Sequence, residues 1–241
     1  MIKTIKYRIK SMQQNIPKHL AIIMDGNRRW AKARGLKPFE GHKAGYKKIG
    51  DVLKWYKDAG IKILTLYAFS TENWRRPKQE VDFLMRLFYF ALTKNIKKLH
   101  KNKVCLRVIG HKEDLPKKLQ NAIKKAEKLT KNNTTGILNL AINYGGRQEL
   151  VDAFNKILSS RGGLPKKISE ELISKNIYNT GFPEPDLIIR TSGELRLSGF
   201  LLWESAYSEL YFTKHHWPEF SKEDFNNALK SFANRQRRFG G

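Results

Sequence analysis

Three short runs in this 241-residue sequence set arginines and small polar residues directly after apolar stretches, and a fourth puts a carboxylate among aromatic residues. The first is Asp25-Gly26-Asn27-Arg28-Arg29-Trp30. A Gly-Asn turn exposes backbone N–H groups, the start of a following helix adds its positive dipole end, and Arg28 and Arg29 can add charge-assisted bonds, which together make a phosphate cradle. The alternative is a tight strand-to-helix turn in which Asp25 only caps the helix. The second run is Ser70-Thr71-Glu72-Asn73-Trp74-Arg75-Arg76. An asparagine and an arginine beside an indole suit a diphosphate with an apolar tail, although Trp74 could equally cover the core with Arg76 stacked on it. The third, Arg190-Thr191-Ser192-Gly193-Glu194-Leu195-Arg196-Leu197-Ser198, offers two guanidiniums able to grip phosphate bidentately and a serine donor. Finally, Glu209 stands in WESAYSELYF, where a buried acid needs either an arginine or a cation as partner. Mg2+ takes one or two carboxylates together with phosphate oxygens and water, so Asp25, Glu209 and a diphosphate would form a credible site. The residues point to chemistry on diphosphates, two at once. No Walker or GxGxxG pattern supports a nucleotide.

The elements that must position these residues are legible as alternating patterns. HLAIIMDG, ILTLYAFS, VCLRVIG, ILNLAINYGG and DLIIRTSG are nearly continuous in apolar residues, as parallel strands covered on both faces require, and LYFT makes a sixth. Between them, Ala44, Tyr46, Ile49, Val52, Leu53 and Tyr56 form a helical stripe that stops at Gly60. Pro77 suits the first turn of a helix running to about His100 through Val81, Leu84, Met85, Phe88, Leu92, Ile96 and Leu99. Ser221 and Asp224 form a capping box, with Phe220 stapled to Phe225. The expectation is an α/β fold: a single domain with a six-stranded, mostly parallel sheet flanked by helices, over residues 19–241, preceded by a basic extension, residues 1–18. In such sheets ligands gather at the carboxyl ends of strands, where the first three runs lie.

Composition limits the alternatives. The formal charge of +25 would suit nucleic acid, an anionic membrane surface or phosphorylated substrates, and the lysine-rich stretches KNIKKLHKNK and LPKKLQNAIKKAEK read most simply as solvated helix faces. No nucleic-acid motif is present. No apolar stretch approaches the roughly 20 residues that cross a bilayer, and MIKTIKYRIKSMQQN lacks the apolar centre of a signal peptide, so a cytoplasmic protein is expected. The single cysteine, Cys105, is read as a buried inert thiol.

The motifs HLAIIMDGNRRWAKARG, EGHKAGYKKI, LTLYAFSTENWRRPKQEV, LNLAINYGGR, DLIIRTSGELRLSGFLLWESAYSELYFT and FANRQRRFGG resemble, in order and over nearly the whole chain, the signature segments of the cis-prenyltransferases, the family of undecaprenyl diphosphate synthase. The aspartate-rich DDxxD pair of trans-prenyltransferases is absent. The resemblance implies condensation of isopentenyl diphosphate with an allylic prenyl diphosphate, such as farnesyl or geranylgeranyl diphosphate, in Z configuration. Its product would be a polyprenyl diphosphate of the kind used for a glycosyl carrier lipid. It implies Mg2+ at Asp25 and Glu209, and the allylic diphosphate held by Gly26, Asn27, Arg28, Arg29, His42 and Arg76. Trp30, Ser70, Thr71, Glu72 and Trp74 would line the substrate site. Asn73 matches an asparagine proposed as proton acceptor; a neutral amide is a poor base, so positioning a proton relay is the better reading. Arg190, Arg196, Leu197 and Ser198 would bind isopentenyl diphosphate. Arg238 and Gly240 match a C-terminal RxG element that reaches the partner subunit's active site, which implies a homodimer. A peripheral membrane contact is a further expectation for a lipid-making enzyme.

Two positions depart from the family's pattern. Pro38 stands where an arginine usually helps bind the allylic diphosphate, with Lys37 beside it as a point charge and not a bidentate fork, and Gly199 stands where asparagine is common. The implied product tail needs a dry tunnel, and the helix from Pro77 is its natural wall. Phe88, Tyr89 and Phe90 are either core or tunnel lining. Two other readings share the fold: irregular coupling of isoprenes, and a silent subunit that supports a partner.

Overall fold

The structure, a computed structural model, describes residues 16–160, 165 and 167–235. Most of the basic extension, residues 1–18, and both Arg238 and Gly240 lie outside the described residues. In chain order the elements are β1 (His19–Ile23), α1 (Asn27–Lys32), α2 (Pro38–Asp58), β2 (Ile63–Ser70), a 3-10 turn (Thr71–Arg75), α3 (Lys78–Phe90), a π turn (Ala91–Asn95) and α4 (Ile96–Lys101). There follow β3 (Val104–Ile109), α5 (Lys117–Thr130), β4 (Gly136–Tyr144), α6 (Gly146–Leu158), α7 (Glu170–Ser174), β5 (Leu187–Arg190), β6 (Glu209–Phe212) and α8 (Lys222–Ala233).

The six strands read from the sequence all form, in one sheet of order β3-β4-β2-β1-β5-β6. The pairs β1–β5, β5–β6 and β3–β4 are parallel. Strands β1 and β5 are buried along their whole length, which is why neither shows a polar alternation.

The helix expected from Pro77 to about His100 is interrupted. Pro77 caps α3 from outside, and the ladder widens at Ala91–Asn95 before resuming in α4. The Thr93 hydroxyl donates to the Tyr89 carbonyl at 2.8 Å, so a side chain enters the i to i−4 ladder where it loosens.

Packing divides the chain into two compact units. The first comprises residues 16–64, 185–196 and 207–235. There Val52 and Tyr56 of α2 are buried, and Gly60, with φ +79°, ends that helix. Trp217, 1% exposed, donates its indole N–H to the Gly45 carbonyl at 2.8 Å and stacks on Phe220. The capping box of α8 is present: Ser221 Oγ accepts from Asp224 N at 3.0 Å, and Asp224 Oδ2 accepts from Ser221 N at 2.9 Å. Phe220 and Phe225 both meet Trp55, at 6.3 and 5.9 Å between ring centroids.

The second unit comprises the described residues of 65–184 together with 197–206. Its α5 buries Leu119, Ala122, Ile123 and Ala126 and leaves Lys117, Lys118, Lys124, Lys125 and Lys128 exposed, so this part of the positive charge is a solvated face. Cys105 is free and partly buried, and burial pushes its thiol pKa up, as an inert cysteine requires.

Candidate active site

In the first unit, β1 delivers Asp25 two residues beyond its carboxyl end. Gly26 is the N-cap of α1, in a left-handed conformation with φ +102° and without a side-chain cap. Asp25 therefore does not cap the helix. Its Oδ2 accepts from Arg190 Nη2 at 2.8 Å and pairs with Arg29 Nη2 at 3.0 Å. Burial would raise the Asp25 pKa, but the hydrogen bonds from Arg190 and Arg29 outweigh it and hold the carboxyl below its ordinary range. The Asp25 main-chain carbonyl accepts from Thr191 Oγ1 at 2.7 Å and from the Trp217 N–H at 2.9 Å, so the turn is pinned from two sides.

Arg190, at the end of β5, is 5% exposed and also donates to the Arg196 carbonyl. Glu194 joins the remaining cations: Oε1 accepts from Arg29 at 2.6 Å and Oε2 from Arg196 at 2.5 Å. Three guanidiniums thus face two carboxylates, which leaves an excess of positive charge for an anion. Gly26 has no room for a side chain, because a Cβ there would lie 2.7 Å from both Ser192 Oγ and His216 Nδ1, atoms themselves 2.7 Å apart. The close approach of α2 also needs glycine: a Cβ on Gly41 would lie 2.0 Å from the Asn27 carbonyl and one on Gly45 2.2 Å from Asn27 Oδ1. His42, on the same helix, is buried, Arg28 is exposed, and Trp30 carries the Arg34 guanidinium over its ring at 4.6 Å. Pro38 is the first residue of α2, a position that suits its fixed φ and missing N–H.

Glu209 is placed elsewhere. It opens β6 opposite Leu187, which pairs with Leu20 near the start of β1, whereas Asp25 lies past the end of β1. From the level of Leu20 to Ile23, the last residue of β1, the strand rises about 10 Å at roughly 3.3 Å per residue, so Glu209 and Asp25 stand at opposite ends of the strands. Glu209 is half-buried and not fully buried as its aromatic surroundings suggested, and it takes an arginine partner: Arg235 donates to Oε2. Within one chain this register keeps Asp25 and Glu209 apart. A sequence spacing carries no information about which edge of a sheet a residue occupies.

In the second unit, Ser70 ends β2, and Thr71, Glu72, Asn73 and Trp74 lie in the 3-10 turn. Asn73 Oδ1 accepts from the Ser70 N–H at 3.2 Å, so the amide oxygen is engaged by the backbone and its N–H2 group is the part available to a ligand. Trp74 donates its indole N–H to Asn143 Oδ1 at 2.7 Å and packs edge-on to Phe69. Arg76 pairs with Glu80, which is 4% exposed, at 3.2 Å. Leu197 and Ser198 open a turn whose Gly199 carbonyl accepts from the Gly146 N–H at 2.9 Å.

The arginine cluster can bind a diphosphate, and Asp25 fits a hard cation that accompanies one. Both guanidinium contacts fall on Oδ2, which leaves Oδ1 as a ligand oxygen. Reading the sequence alone missed the roles of Glu194, Thr191, Ser192 and His216. Glu194 had a visible signal, an acid two residues before one arginine in a cationic run. The contact of Ser192 with His216 spans 24 residues and had none.

A protein-family model described as "Putative undecaprenyl diphosphate synthase" matches residues 23–240. A protein of Methanocaldococcus jannaschii named tritrans,polycis-undecaprenyl-diphosphate synthase (geranylgeranyl-diphosphate specific) is 52% identical over 95% of this chain and 84% of its own length. One of Legionella pneumophila named ditrans,polycis-undecaprenyl-diphosphate synthase ((2E,6E)-farnesyl-diphosphate specific) is 47% identical over 95% and 98%. Among solved structures, lavandulyl diphosphate synthase from Lavandula x intermedia, in complex with dimethylallyl diphosphate, superposes with a TM-score of 0.90 at 40% identity, over 95% of this chain and all of that one.

Proposed function

Because the chain belongs to the undecaprenyl diphosphate synthase family of prenyltransferases, we propose that it condenses isopentenyl diphosphate with an allylic prenyl diphosphate in Z configuration to give a polyprenyl diphosphate. Farnesyl and geranylgeranyl diphosphate, the substrates in the names of two relatives, are the starters to expect. The observation that carries the reading is the Asp25 carboxylate, which caps no helix and is clamped on one oxygen by Arg29 and Arg190.

In this reading the work of the chain is electrostatic and positional. Arg29, held by Asp25 and Glu194, faces the diphosphate that departs from the allylic carbon. Arg190 and Arg196 hold the diphosphate of isopentenyl diphosphate, and Ser198 adds a donor. The Asn73 amide orients the groups that accept the proton lost from C2, since a neutral amide is too weak a base to take it. Asp25 would hold Mg2+, which when bound supplies positive charge to the leaving diphosphate. Glu209 does not share that site from the same chain. A homodimer is part of the reading through the C-terminal RxG residues Arg238 and Gly240, and the excess of lysine and arginine supports contact with an anionic membrane surface. Among the described residues no helix is long and apolar enough to cross a membrane.

The test is product analysis. Purified protein, labelled isopentenyl diphosphate and each allylic starter should yield chains resolved by reversed-phase chromatography, with synthesis abolished by EDTA and restored by Mg2+. The likeness to a lavandulyl diphosphate synthase favours one second reading, coupling in another pattern on the same fold. Double-bond geometry and branching in the NMR spectrum of the product separate the two.

A further inference from the structure

Glu204 lies in the turn of residues 199–206 that follows Ser198, and neither the arginine cluster nor the 3-10 turn uses it. It is 2% exposed, and no other described residue hydrogen-bonds either side-chain oxygen; only its own backbone N–H acts on the carboxyl. A carboxylate in that position is costly unless it keeps its proton.

The turn is fastened to the junction of β4 and α6. Gly146 donates to the Gly199 carbonyl at 2.9 Å, and a Cβ on Gly146 would lie 2.4 Å from the Leu202 Cβ, so the two backbones are in close contact. Phe200, fully buried, stacks on Tyr67 at 4.5 Å and meets Tyr144 edge-on at 6.1 Å. Ser198 and Leu201 have φ +51° and +47°, left-handed values that non-glycine residues hold only when packing imposes them. The segment carrying Leu197 and Ser198 therefore keeps its shape through the packing of the turn behind it.

Glu149, on α6, is also fully buried, but it is well supplied: Oε2 accepts from the Tyr144 hydroxyl at 2.5 Å and Oε1 from the Tyr178 N–H at 3.0 Å. Burial pushes Glu149 up to about 7 and, with the charge of Glu149 and then Glu184 added, Glu204 up to about 8. Among the described residues, the charged groups on the neighbouring elements are already engaged. Asp152 takes the Tyr178 hydroxyl and His111, and Lys175, which shares a cavity wall with Glu171, Glu184 and Glu204, is paired with Glu171 at 2.6 Å. Two buried acids that raise one another's pKa favour a state that keeps at least one proton.

We propose that Glu204 is a positioning residue for the isopentenyl diphosphate contacts Leu197 and Ser198: as a neutral acid beside Glu149 it lets the turn of residues 199–206 pack on Gly146, and its ionisation loosens that turn. This rests on the reading of Leu197 and Ser198 as substrate contacts. The KM for isopentenyl diphosphate rises with alkaline pH while the KM for the allylic starter changes less. The neutral fraction of an acid whose pKa burial has raised falls as pH rises on the alkaline side of neutrality, which sets the direction of the expected rise.

The experiment measures both KM values from pH 6.5 to 9.5 in the wild type and in Glu204→Gln, which keeps the shape and cannot ionise. Hydrogen exchange of residues 199–206 is followed over the same range and expressed as protection factors. The proposal expects an alkaline rise in the isopentenyl diphosphate KM in the wild type, a change within about twofold in Glu204→Gln, and loss of protection in the turn but not in β4. An equal rise in both proteins, or constant protection of the turn in the wild type, overturns it; the second criterion holds even if Glu204→Gln fails to fold. Loss of protection without the KM effect leaves a pH-sensitive turn but overturns the positioning role. Absence of prenyl transfer at every pH overturns the proposed activity and the substrate role with it, whereas transfer with a pH-independent KM overturns only the latter.

Discussion

Asp25 and Arg190 meet at 2.8 Å across the carboxyl ends of β1 and β5, and the contact falls on the same carboxylate oxygen that Arg29 reaches at 3.0 Å. Since Gly26 is the N-cap and no side chain caps α1, losing the Asp25 carboxylate removes charge and not a helix cap. Asp25→Asn should keep its melting temperature within a few degrees while turnover falls about a thousandfold, equivalent to roughly 4 kcal/mol in the transition state. Steady-state assays across a Mg2+ titration check it, and near-normal turnover at ordinary Mg2+ would remove the metal role. The pH dependence follows from the lowered pKa: the stabilising pair is fully present above the unfolded carboxyl's value near 3.8 and is lost only as pH falls through the lower folded value.

The turn at Gly26 should be intolerant for a reason that can be relieved. Gly26→Ala meets a positive φ and a Cβ only 2.7 Å from His216 Nδ1 and Ser192 Oγ. Strain of this kind costs about 1 to 3 kcal/mol, or roughly 2 to 4 °C per kcal/mol in a chain of this size. Adding His216→Ala should recover part of that loss, measured as a double-mutant cycle in thermal unfolding. Purely additive losses would show that His216 does not set the limit.

Pro38→Arg supplies the guanidinium that the resemblance leads one to expect there, at the first position of α2, where proline is favourable but not required. The KM for the allylic starter should fall more than that for isopentenyl diphosphate, by the equivalent of about 1.5 to 3 kcal/mol at most. Equal change in both, or none, would mean that Lys37 or another group already fills the role.

Phe88, Tyr89 and Phe90 face different surroundings, so their alanine variants should separate. Phe88 packs edge-on to Phe69, Tyr89 lies under the Lys118 ammonium at 4.6 Å, and Phe90 is 48% exposed. Phe90→Ala should leave thermal stability nearly unchanged, whereas Phe88→Ala should lower it by about 2 to 4 kcal/mol. Whichever ring lines the product path should, when truncated, give longer chains by reversed-phase chromatography. Unchanged product length in all three variants would assign the cluster to packing alone.

Glu204 also makes a prediction for stability. Burial and the charge of Glu149 raise its folded pKa above the ordinary 4.5, so between those two values the folded state holds more protons than the unfolded one. Stability must therefore fall as pH rises through that window, by up to about 1.4 kcal/mol per pH unit. The difference in melting temperature between Glu204→Gln and wild type should widen from pH 5 to pH 8 and level off above it, as thermal scans at matched ionic strength can establish.

What the sequence determined by itself was set by local patterns. Six apolar runs became six strands, most plainly β1 and β5, where a strand covered on both faces must be apolar at every position, and Ser221 with Asp224 became a capping box because its geometry is completed within four residues. The arginine-bearing runs could be placed at strand ends for the same reason. Tertiary structure alone decided which side chains meet. It turned Asp25 from a potential helix cap into a partner for Arg190, 165 residues away, gave Glu209 to Arg235 at the amino end of β6, and used Glu194 to hold Arg29 and Arg196. It also set Glu204 against Glu149, two acids separated by 55 positions that no spacing rule connects. Side-chain periodicity follows from backbone geometry within one element, whereas a pair of charges is fixed by strand register and by burial, and both of these arise only when distant segments pack.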